Sequence, residues 1–316
     1  MKNTKIEWAT HTFNPWEGCT KISPACDHCY AERRNARFGG GQAPNWGPGA
    51  PRRRTSAANW RQPLRWNAEA NRNGTRPRVF CASLADVFDN EVSQHWRADL
   101  FHLIHSTPQL DWLLLTKRIG NAPAMIREAT TPALAASARD SFPKWPWKNV
   151  WLGATVVNQE EADRDIPKLL TTPAAKRFLS VEPMLGPVDI GPWLDDGSNH
   201  MALAGTIDWV IVGGESGPKA RPFDIRWARD IVQQCKAADV PVFVKQIGEQ
   251  PRGWCASRVH ISDDENADLD DDYCDFYEAH EQGRPCPGRC GALVDRKGGD
   301  PAEWPKDLRV REFPRG

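Results

Sequence analysis

Three cysteines lie within eleven residues near the start of the chain, close enough for their sulfurs to share one ligand. Cys19, Cys26 and Cys29 are spaced C-x6-C-x2-C, and Gly18 and Pro24 bend the chain around them. Thiols this close in one loop are poorly placed for a disulfide framework, which needs even pairing and separated partners. The spacing therefore indicates a metal centre held by thiolates.

Two kinds of metal centre fit three thiolates. In a [4Fe-4S] cluster held by three cysteines, one iron has no protein ligand, and an open position of this kind can bind and activate another molecule. The alternative is a structural zinc site in which His28 or His11 provides the fourth ligand. Because soft sulfur ligands suit both metals, the residue types alone leave both interpretations open.

Composition narrows the class of protein. The 316 residues carry 41 basic and 41 acidic side chains, so no overall field favours nucleic acid or a membrane. Nine cysteines without a secretory leader predict a protein of the reducing cytoplasm. No apolar run approaches the ~20 residues that span a bilayer, so no membrane partner is expected.

Short apolar runs alternate with helical stretches over most of the chain. Continuous apolar strands, unlike alternating ones, are typical of parallel sheets buried on both faces. The pattern predicts an α/β fold, either a full or partial TIM-type (β/α) barrel, which we favour, or a doubly wound sheet. The strands are predicted at 12–16, 79–83, 112–116, 150–154, 177–181, 209–213 and 242–245, and the main helices at 31–38, 95–106, 159–170 and 225–237.

The regular pattern ends near residue 250. We therefore predict a barrel domain over residues 1–250, with the cluster loop at its N-terminus, and a loop-rich, cysteine-containing C-terminal extension and cap over 251–316. The extension holds four cysteines that either form a second metal site, with zinc or an iron–sulfur cluster, or remain unligated: Cys255, Cys274, Cys286 and Cys290. Cys81 and Cys235 fall in a strand and a helix, which predicts that both are core residues.

A long segment over residues 42–66 is predicted to be irregular. Its part from 46 to 66 interleaves arginines with tryptophans, which would supply phosphate contacts and base stacking. This makes it a candidate surface for a nucleotide or nucleic acid. The alternative is ordinary packing of arginine on tryptophan at the protein surface.

Polar residues follow most of the predicted strands. In a barrel, such residues lie at the C-terminal mouth, where active sites form. Gly213 and Gly214 would let a ligand approach the backbone, and Glu182 and Glu215 could accept hydrogen bonds from it, whereas a plain turn is the alternative for the glycines. Lys245 is a candidate group for binding or proton transfer. The segment 116–118 could bind a carboxylate or phosphate, or carry solvated cations.

Several motifs together resemble the phage Gp-thirty-seven/sixty-eight family, which is grouped with radical S-adenosylmethionine (SAM) enzymes. The first is Asn14-Pro15-Trp16-Glu17-Gly18-Cys19-Thr20-Lys21, followed by Cys26-Asp27-His28-Cys29-Tyr30-Ala31-Glu32. The others are Trp112-Leu113-Leu114-Leu115-Thr116-Lys117-Arg118, Phe178-Leu179-Ser180-Val181-Glu182-Pro183 and Val212-Gly213-Gly214-Glu215-Ser216-Gly217.

The resemblance implies a phage-type radical SAM enzyme in which Cys19, Cys26 and Cys29 bind a [4Fe-4S] cluster. SAM would bind the open iron, and its reductive cleavage would start hydrogen abstraction from a nucleotide, a nucleic-acid base or another small molecule. An electron donor is then a required partner. Ser83 and Asp86 follow a strand at which barrels of this kind contact SAM, with a helix N-cap as the competing role. The competing function is a zinc-stabilised, nucleic-acid-associated protein without turnover.

Overall fold

A computed structural model gives the placement of residues 1–131, 143–194, 205–253 and 293–314. All statements about structure below refer to these residues. The four cysteines of the predicted extension, at 255, 274, 286 and 290, lie outside them, and so does most of the region behind the predicted boundary at residue 250.

Eleven strands are found among the described residues, and seven of them form one sheet. The strands are β1 His11–Phe13, β2 Trp16–Glu17, β3 Arg53–Arg54, β4 Arg78–Cys81, β5 Asp111–Thr116, β6 Val150–Thr155, β7 Lys176–Val181, β8 Trp209–Gly213, β9 Phe223–Asp224, β10 Val242–Gln246 and β11 Pro251–Arg252. The order in the large sheet is β1-β4-β5-β6-β7-β8-β10, and the pairs β1–β4, β4–β5, β5–β6 and β8–β10 are parallel. Within this sheet, each strand thus lies beside the sheet strand that follows it along the chain, as in a partial (β/α) barrel and unlike a doubly wound sheet.

The strands of this sheet are buried because their residues are apolar on both faces. All six residues of β6 and all five of β8 are buried. No residue with a Cβ fits at Gly153 in β6, since that atom would lie 2.3 Å from the ring of Phe178 in β7. The predicted core cysteines, Cys81 and Cys235, are both fully buried, which confirms that prediction.

Within the described ranges, seven α-helices connect and flank these strands. They are α1 Tyr30–Phe38, α2 Ala57–Trp60, α3 Gln62–Asn73, α4 Gln94–His105, α5 Ala122–Ala129, α6 Gln159–Thr171 and α7 Ile225–Ala237. The helix α7 shows why they form: the Asp224 carboxylate accepts a hydrogen bond from the backbone N–H of Arg226, and the residues at 225, 228, 231, 232 and 235 are buried on one face. None of the helices in the described parts of the chain is both long and apolar enough to cross a bilayer.

The prediction of an irregular segment over residues 42–66 is wrong in its second half. This half contains β3, α2 and the start of α3. The Ser56 hydroxyl accepts a hydrogen bond from the backbone N–H of Asn59 and so caps α2. Pro63 lies in the first turn of α3, where its missing N–H group is not needed. Local capping chemistry thus gives order to a segment whose overall composition is typical of a loop.

The chain divides into two compact units, which are described separately. The first comprises Met1–Thr155, Arg164–Leu179 and Met201–Ile207, and the second comprises Val156–Asp163, Ser180–His200 and Asp208–Gly316. In the second unit, the last described residues run beside β10: the N–H of Val244 donates to the carbonyl of Val310, and the N–H of Glu312 donates to the carbonyl of Val242. The described C-terminal residues therefore belong to the same unit as β8 and β10.

Candidate functional site

The first cysteine of the loop is held from both sides by backbone contacts in the first unit. The N–H of Gly18 donates to the carbonyl of Leu84 at 3.1 Å, and the N–H of Gly47 donates to the carbonyl of Cys19 at 2.9 Å. Gly18 has φ +114°, and a Cβ there would lie 2.5 Å from the carbonyl oxygen of Asn45. Only glycine fits this position, and the close approach of the two backbone segments fixes the path of the chain from β2 to Cys19.

Of the other two cysteines, Cys26 ends a single helical turn and Cys29 lies three residues further along the chain. Pro24–Cys26 form a 3-10 helix, whose N-cap Ser23 accepts a hydrogen bond from the N–H of Ala25 at 3.1 Å. The N–H of Cys29 donates to the carbonyl of Cys26 at 3.3 Å, and Cys29 is the N-cap residue of α1. Cys26 is buried and Cys29 is partly exposed, and both are free thiols, as is Cys19.

An ionic network links the cysteine loop to the ends of β4 and β5. Arg118 donates from Nη1 to the Cys19 Sγ at 3.4 Å and from Nη2 to the carbonyl of Thr20 at 2.7 Å. The buried Asp86 pairs with the same Nη1 at 3.3 Å and accepts from the Thr116 hydroxyl at 2.7 Å. It also accepts from the backbone N–H of Lys117 at 3.1 Å. The predicted site residue Asp86 therefore positions Arg118, which in turn contacts the first predicted metal ligand.

The pKa values of the two groups joined by this network are both raised, for different reasons. Burial raises the pKa of the Cys19 thiol to about 11; Asp86 adds to the shift, and Arg118 opposes it. Burial lowers the pKa of Arg118, but Asp86 and the Cys19 sulfur outweigh burial, so that this pKa is raised overall. Arg118 is thus a permanent cation beside a thiol that must lose its proton to bind a metal.

Ser83 contacts the cysteine-loop region through two neighbours. The Asn14 Nδ2 donates to the Ser83 hydroxyl at 3.1 Å, and the Asn14 Oδ1 accepts from the N–H of Leu84 at 2.8 Å. The Tyr30 hydroxyl donates to the Ser83 carbonyl at 2.5 Å. Neither Ser83 nor Asp86 caps a helix, since α4 begins at Gln94 with Ser93 at its N-cap. The competing role considered for both residues is therefore wrong.

A second buried cation, Arg52, organises the segment around residues 45–52. Its Nε donates to the Asp89 carboxylate at 2.8 Å, and its Nη2 donates to the Thr20 hydroxyl at 2.7 Å. Its Nη1 donates to three backbone carbonyls, those of Asn45, Gly47 and Ala50. Arg52 is thus used inside the protein and does not offer its charge to a ligand from solvent.

The neighbouring arginines are also paired within the first unit. Arg53 pairs with Glu17, and Arg54 pairs with Asp99 at 2.7 Å while its guanidinium lies 4.2 Å from the ring centre of Trp60. The arrangement of Arg54 is the surface packing that was considered as the alternative to nucleic-acid binding. The use of residues 46–66 as a nucleic-acid surface remains a prediction.

The remaining predicted site residues lie in the second unit. Lys245 pairs with Glu182 through its Nζ. The carboxylate of Glu215 accepts hydrogen bonds from the Nε and Nη2 of Arg221, at 2.9 and 2.8 Å, and from the backbone N–H of Arg221 at 2.9 Å. Gly214 packs directly on backbone, because a Cβ there would lie 2.9 Å from the N atom of Gly248. Glu215 thus closes a turn with Arg221, and its oxygens already have donors.

Sequence reasoning missed the roles of three residues that contact predicted site residues or the cysteine loop. Asn14 had a signal, since it precedes Pro15 in the motif that leads to Cys19. Arg52 had none, because three consecutive arginines look alike in sequence. Arg221 had none either, because nothing in the sequence ties it to Glu215.

A family model described as "Protein of unknown function (DUF5131)" matches residues 3–289 of this chain. The chain belongs to this family. No curated protein and no solved structure matches the chain. Because the family description names no activity, any assignment of function depends on the residues themselves.

The donor atoms of the cysteine loop fit an iron–sulfur cluster in kind. The loop offers three free thiols, and a guanidinium donates to one of their sulfurs. Hydrogen bonds to the ligating sulfurs are a common feature of cluster sites. Within 1–131, 143–194, 205–253 and 293–314, no three His, Cys, Asp or Glu side chains are gathered in the arrangement of a metal site.

Proposed function

We propose that this protein is a radical-SAM-type enzyme in which Cys19, Cys26 and Cys29 hold a [4Fe-4S] cluster. When bound, such a cluster would supply the electron for reductive cleavage of SAM and so allow hydrogen abstraction from a substrate. The observation that carries the proposal is the set of three free thiols in one loop. Three protein ligands leave one iron available to SAM, whereas zinc would need a fourth ligand.

In this proposal, Arg118 tunes and positions the first ligand. Its donor atom at 3.4 Å from the Cys19 sulfur favours the thiolate over the thiol. Its second bond, to the carbonyl of Thr20, fixes the backbone next to that sulfur. Asp86 keeps the guanidinium in this orientation. Such outer contacts commonly determine both the affinity of a metal site and its potential.

The other roles in the proposal follow the sequence predictions. The proposed SAM-binding positions are Ser83, Asp86, Glu182, Gly213, Gly214 and Glu215. Lys245, held by Glu182, is the proposed proton-transfer group. The substrate would be a nucleotide or another small molecule, the partner an electron donor, and the location the cytoplasm. The motifs quoted above support the further assignment to the phage-type radical SAM proteins.

Anaerobic reconstitution with iron and sulfide tests the proposal. The wild-type protein should become brown, show a broad visible absorbance that dithionite bleaches, and contain iron rather than zinc. Cys19→Ala, Cys26→Ala and Cys29→Ala should each abolish this signal. The assay is best made in a background in which the cysteines at 255, 274, 286 and 290 are serine, so that iron held there does not contribute.

Cys81→Ala is the matched control. Cys81 is a fully buried thiol of β4 in the same unit, and its replacement should leave the iron content unchanged. Full retention of iron in any one of the three loop variants would refute the three-ligand assignment. Purification with about one zinc per chain and no uptake of iron would favour a zinc site instead.

A further inference from the structure

A polar cavity of about 290 Å³ lies beside the cysteine loop in the first unit. The residues after β5 form one wall, with Lys117 and Arg118. The part of α6 that belongs to the first unit, after Asp163, forms another wall, with Arg164, Asp165 and Lys168. Ile22 of the cysteine loop also lines the cavity and is 46% exposed.

The charged lining of this cavity is strongly unbalanced. It carries four cations and one carboxylate, and a second carboxylate, Asp86, pairs with one of the cations, Arg118, although the whole chain has equal numbers of basic and acidic residues. Asp165 is buried and serves two of the cations: Arg164 donates to it at 2.6 and 3.1 Å, and Lys168 at 3.0 Å. One carboxylate thus orients two of the cations that line the cavity.

Lys117 has no counter-charge among the residues that the structure describes. Its backbone N–H donates to Asp86, but its Nζ makes no hydrogen bond or ion pair with any residue that the structure describes. The side chain is partly buried in the wall of the cavity. An anion in the cavity would supply a counter-charge for this ammonium group.

We propose that this cavity binds the phosphate group of a small phosphorylated ligand. A phosphate carries more than one negative charge, which matches the excess of cations better than a single carboxylate does. Lysine binds phosphate oxygens as a point charge, and Lys117 and Lys168 provide two such charges in the lining. The exposed side chain of Ile22 offers an apolar contact for the carbon part of the ligand. The proposal is separate from the cluster assignment, because binding of a phosphate at Lys117 and Lys168 requires no metal at the cysteines.

Calorimetric titration of the full-length, metal-free protein with pyrophosphate at low ionic strength tests the proposal, with acetate as the control anion. The wild type should bind pyrophosphate and not acetate. Lys117→Gln should weaken binding by about tenfold or more, the loss expected for one charge-assisted hydrogen bond. Lys168→Gln should also weaken it, and provides the same test if Lys117→Gln does not fold.

Lys148→Gln is the matched control, since it removes the same charge from an exposed lysine of the same unit that does not line the cavity. Its affinity should stay within about twofold of the wild type, since isolated surface charges contribute little. Three results would overturn the proposal: no binding of millimolar pyrophosphate, normal binding by folded Lys117→Gln, or equal weakening by Lys148→Gln. Because the titration needs neither iron nor SAM, its failure would be separate from failure of the proposed radical chemistry.

Discussion

Arg52 offers a sharp test of how the cysteine loop is held in place, because its side chain is 1% exposed and that of its partner Asp89 is 3% exposed. Its guanidinium has three kinds of acceptor: the Asp89 carboxylate, backbone carbonyls of residues 45–50, and the Thr20 hydroxyl next to Cys19. Replacement by methionine keeps much of the volume and removes every one of these donors. The variant leaves Asp89 buried and without its main counter-charge.

The expected loss follows from that buried carboxylate. Breaking a buried ion pair by removing one partner typically costs about 3–5 kcal/mol. Glu91, which also pairs with Arg52 at 3.3 Å, is more exposed and adds little. Arg53→Met is the matched control next in sequence: Arg53 pairs with Glu17, but its side chain is 63% exposed, so its loss should be about 1 kcal/mol or less.

Urea unfolding, followed by tryptophan fluorescence, gives the free energy of unfolding of each variant. A double variant, Arg52→Met with Asp89→Leu, completes the test. It removes the unpaired charge together with its partner, so it should be more stable than Arg52→Met alone. Equal stability of Arg52→Met and Arg53→Met would refute the reasoning, and so would a double variant whose loss equals the sum of the two single losses.

Two further predictions use the geometry of the first unit. Gly18→Ala should destabilise the protein more than Gly40→Ala. Both glycines have positive φ, but a Cβ at Gly18 would clash with Asn45, whereas a Cβ at Gly40 would face open space. Equal thermal unfolding midpoints of the two variants would contradict this. Burial lowers the pKa of His11, and its Nδ1 accepts a hydrogen bond from the N–H of Asn3. The stability that the neutral ring provides is therefore present above the unfolded pKa of 6.5 and is lost as the pH falls below that value. His11→Gln should therefore lose less stability than the wild type between about pH 7.5 and about pH 5 in urea titrations, and an equal loss would show that His11 does not contribute.

The sheet could be predicted from the sequence because its strands have a strong local signal. Buried parallel strands are continuous apolar runs, and the runs at 150–154 and 209–213 differ from β6 and β8 by one residue at most. The helix over 225–237 has the predicted bounds, because an N-cap and one apolar face define it locally. The sequential strand order agrees with the barrel interpretation, since each βα unit places its strand beside the previous one.

The contacts of individual charged residues could not be predicted in the same way. Arg52, Arg53 and Arg54 are identical in type and adjacent in sequence, yet only Arg52 is buried. The pairing of β2 with β3 places Arg53 opposite Glu17 and Arg54 opposite Trp16, and this depends on the fold rather than on local sequence. From the sequence, Glu215 is expected to be a carboxylate available to a ligand at a strand end, whereas the guanidinium of Arg221, six residues later, donates two hydrogen bonds to it.

The contacts around Cys19 show how the fold holds the start of the cysteine loop. Three side-chain or backbone donors from outside the loop meet at Cys19 and Thr20: Arg118 on the Thr20 carbonyl, Arg52 on the Thr20 hydroxyl, and the N–H of Gly47 on the Cys19 carbonyl. Cys26 and Cys29, in contrast, are joined to each other by a backbone hydrogen bond. The first of the three proposed ligands is therefore fixed by the fold, and the other two form a local unit. If the proposed cluster forms, it needs to order only the link between two parts that are already formed, which lowers the conformational entropy that binding must overcome.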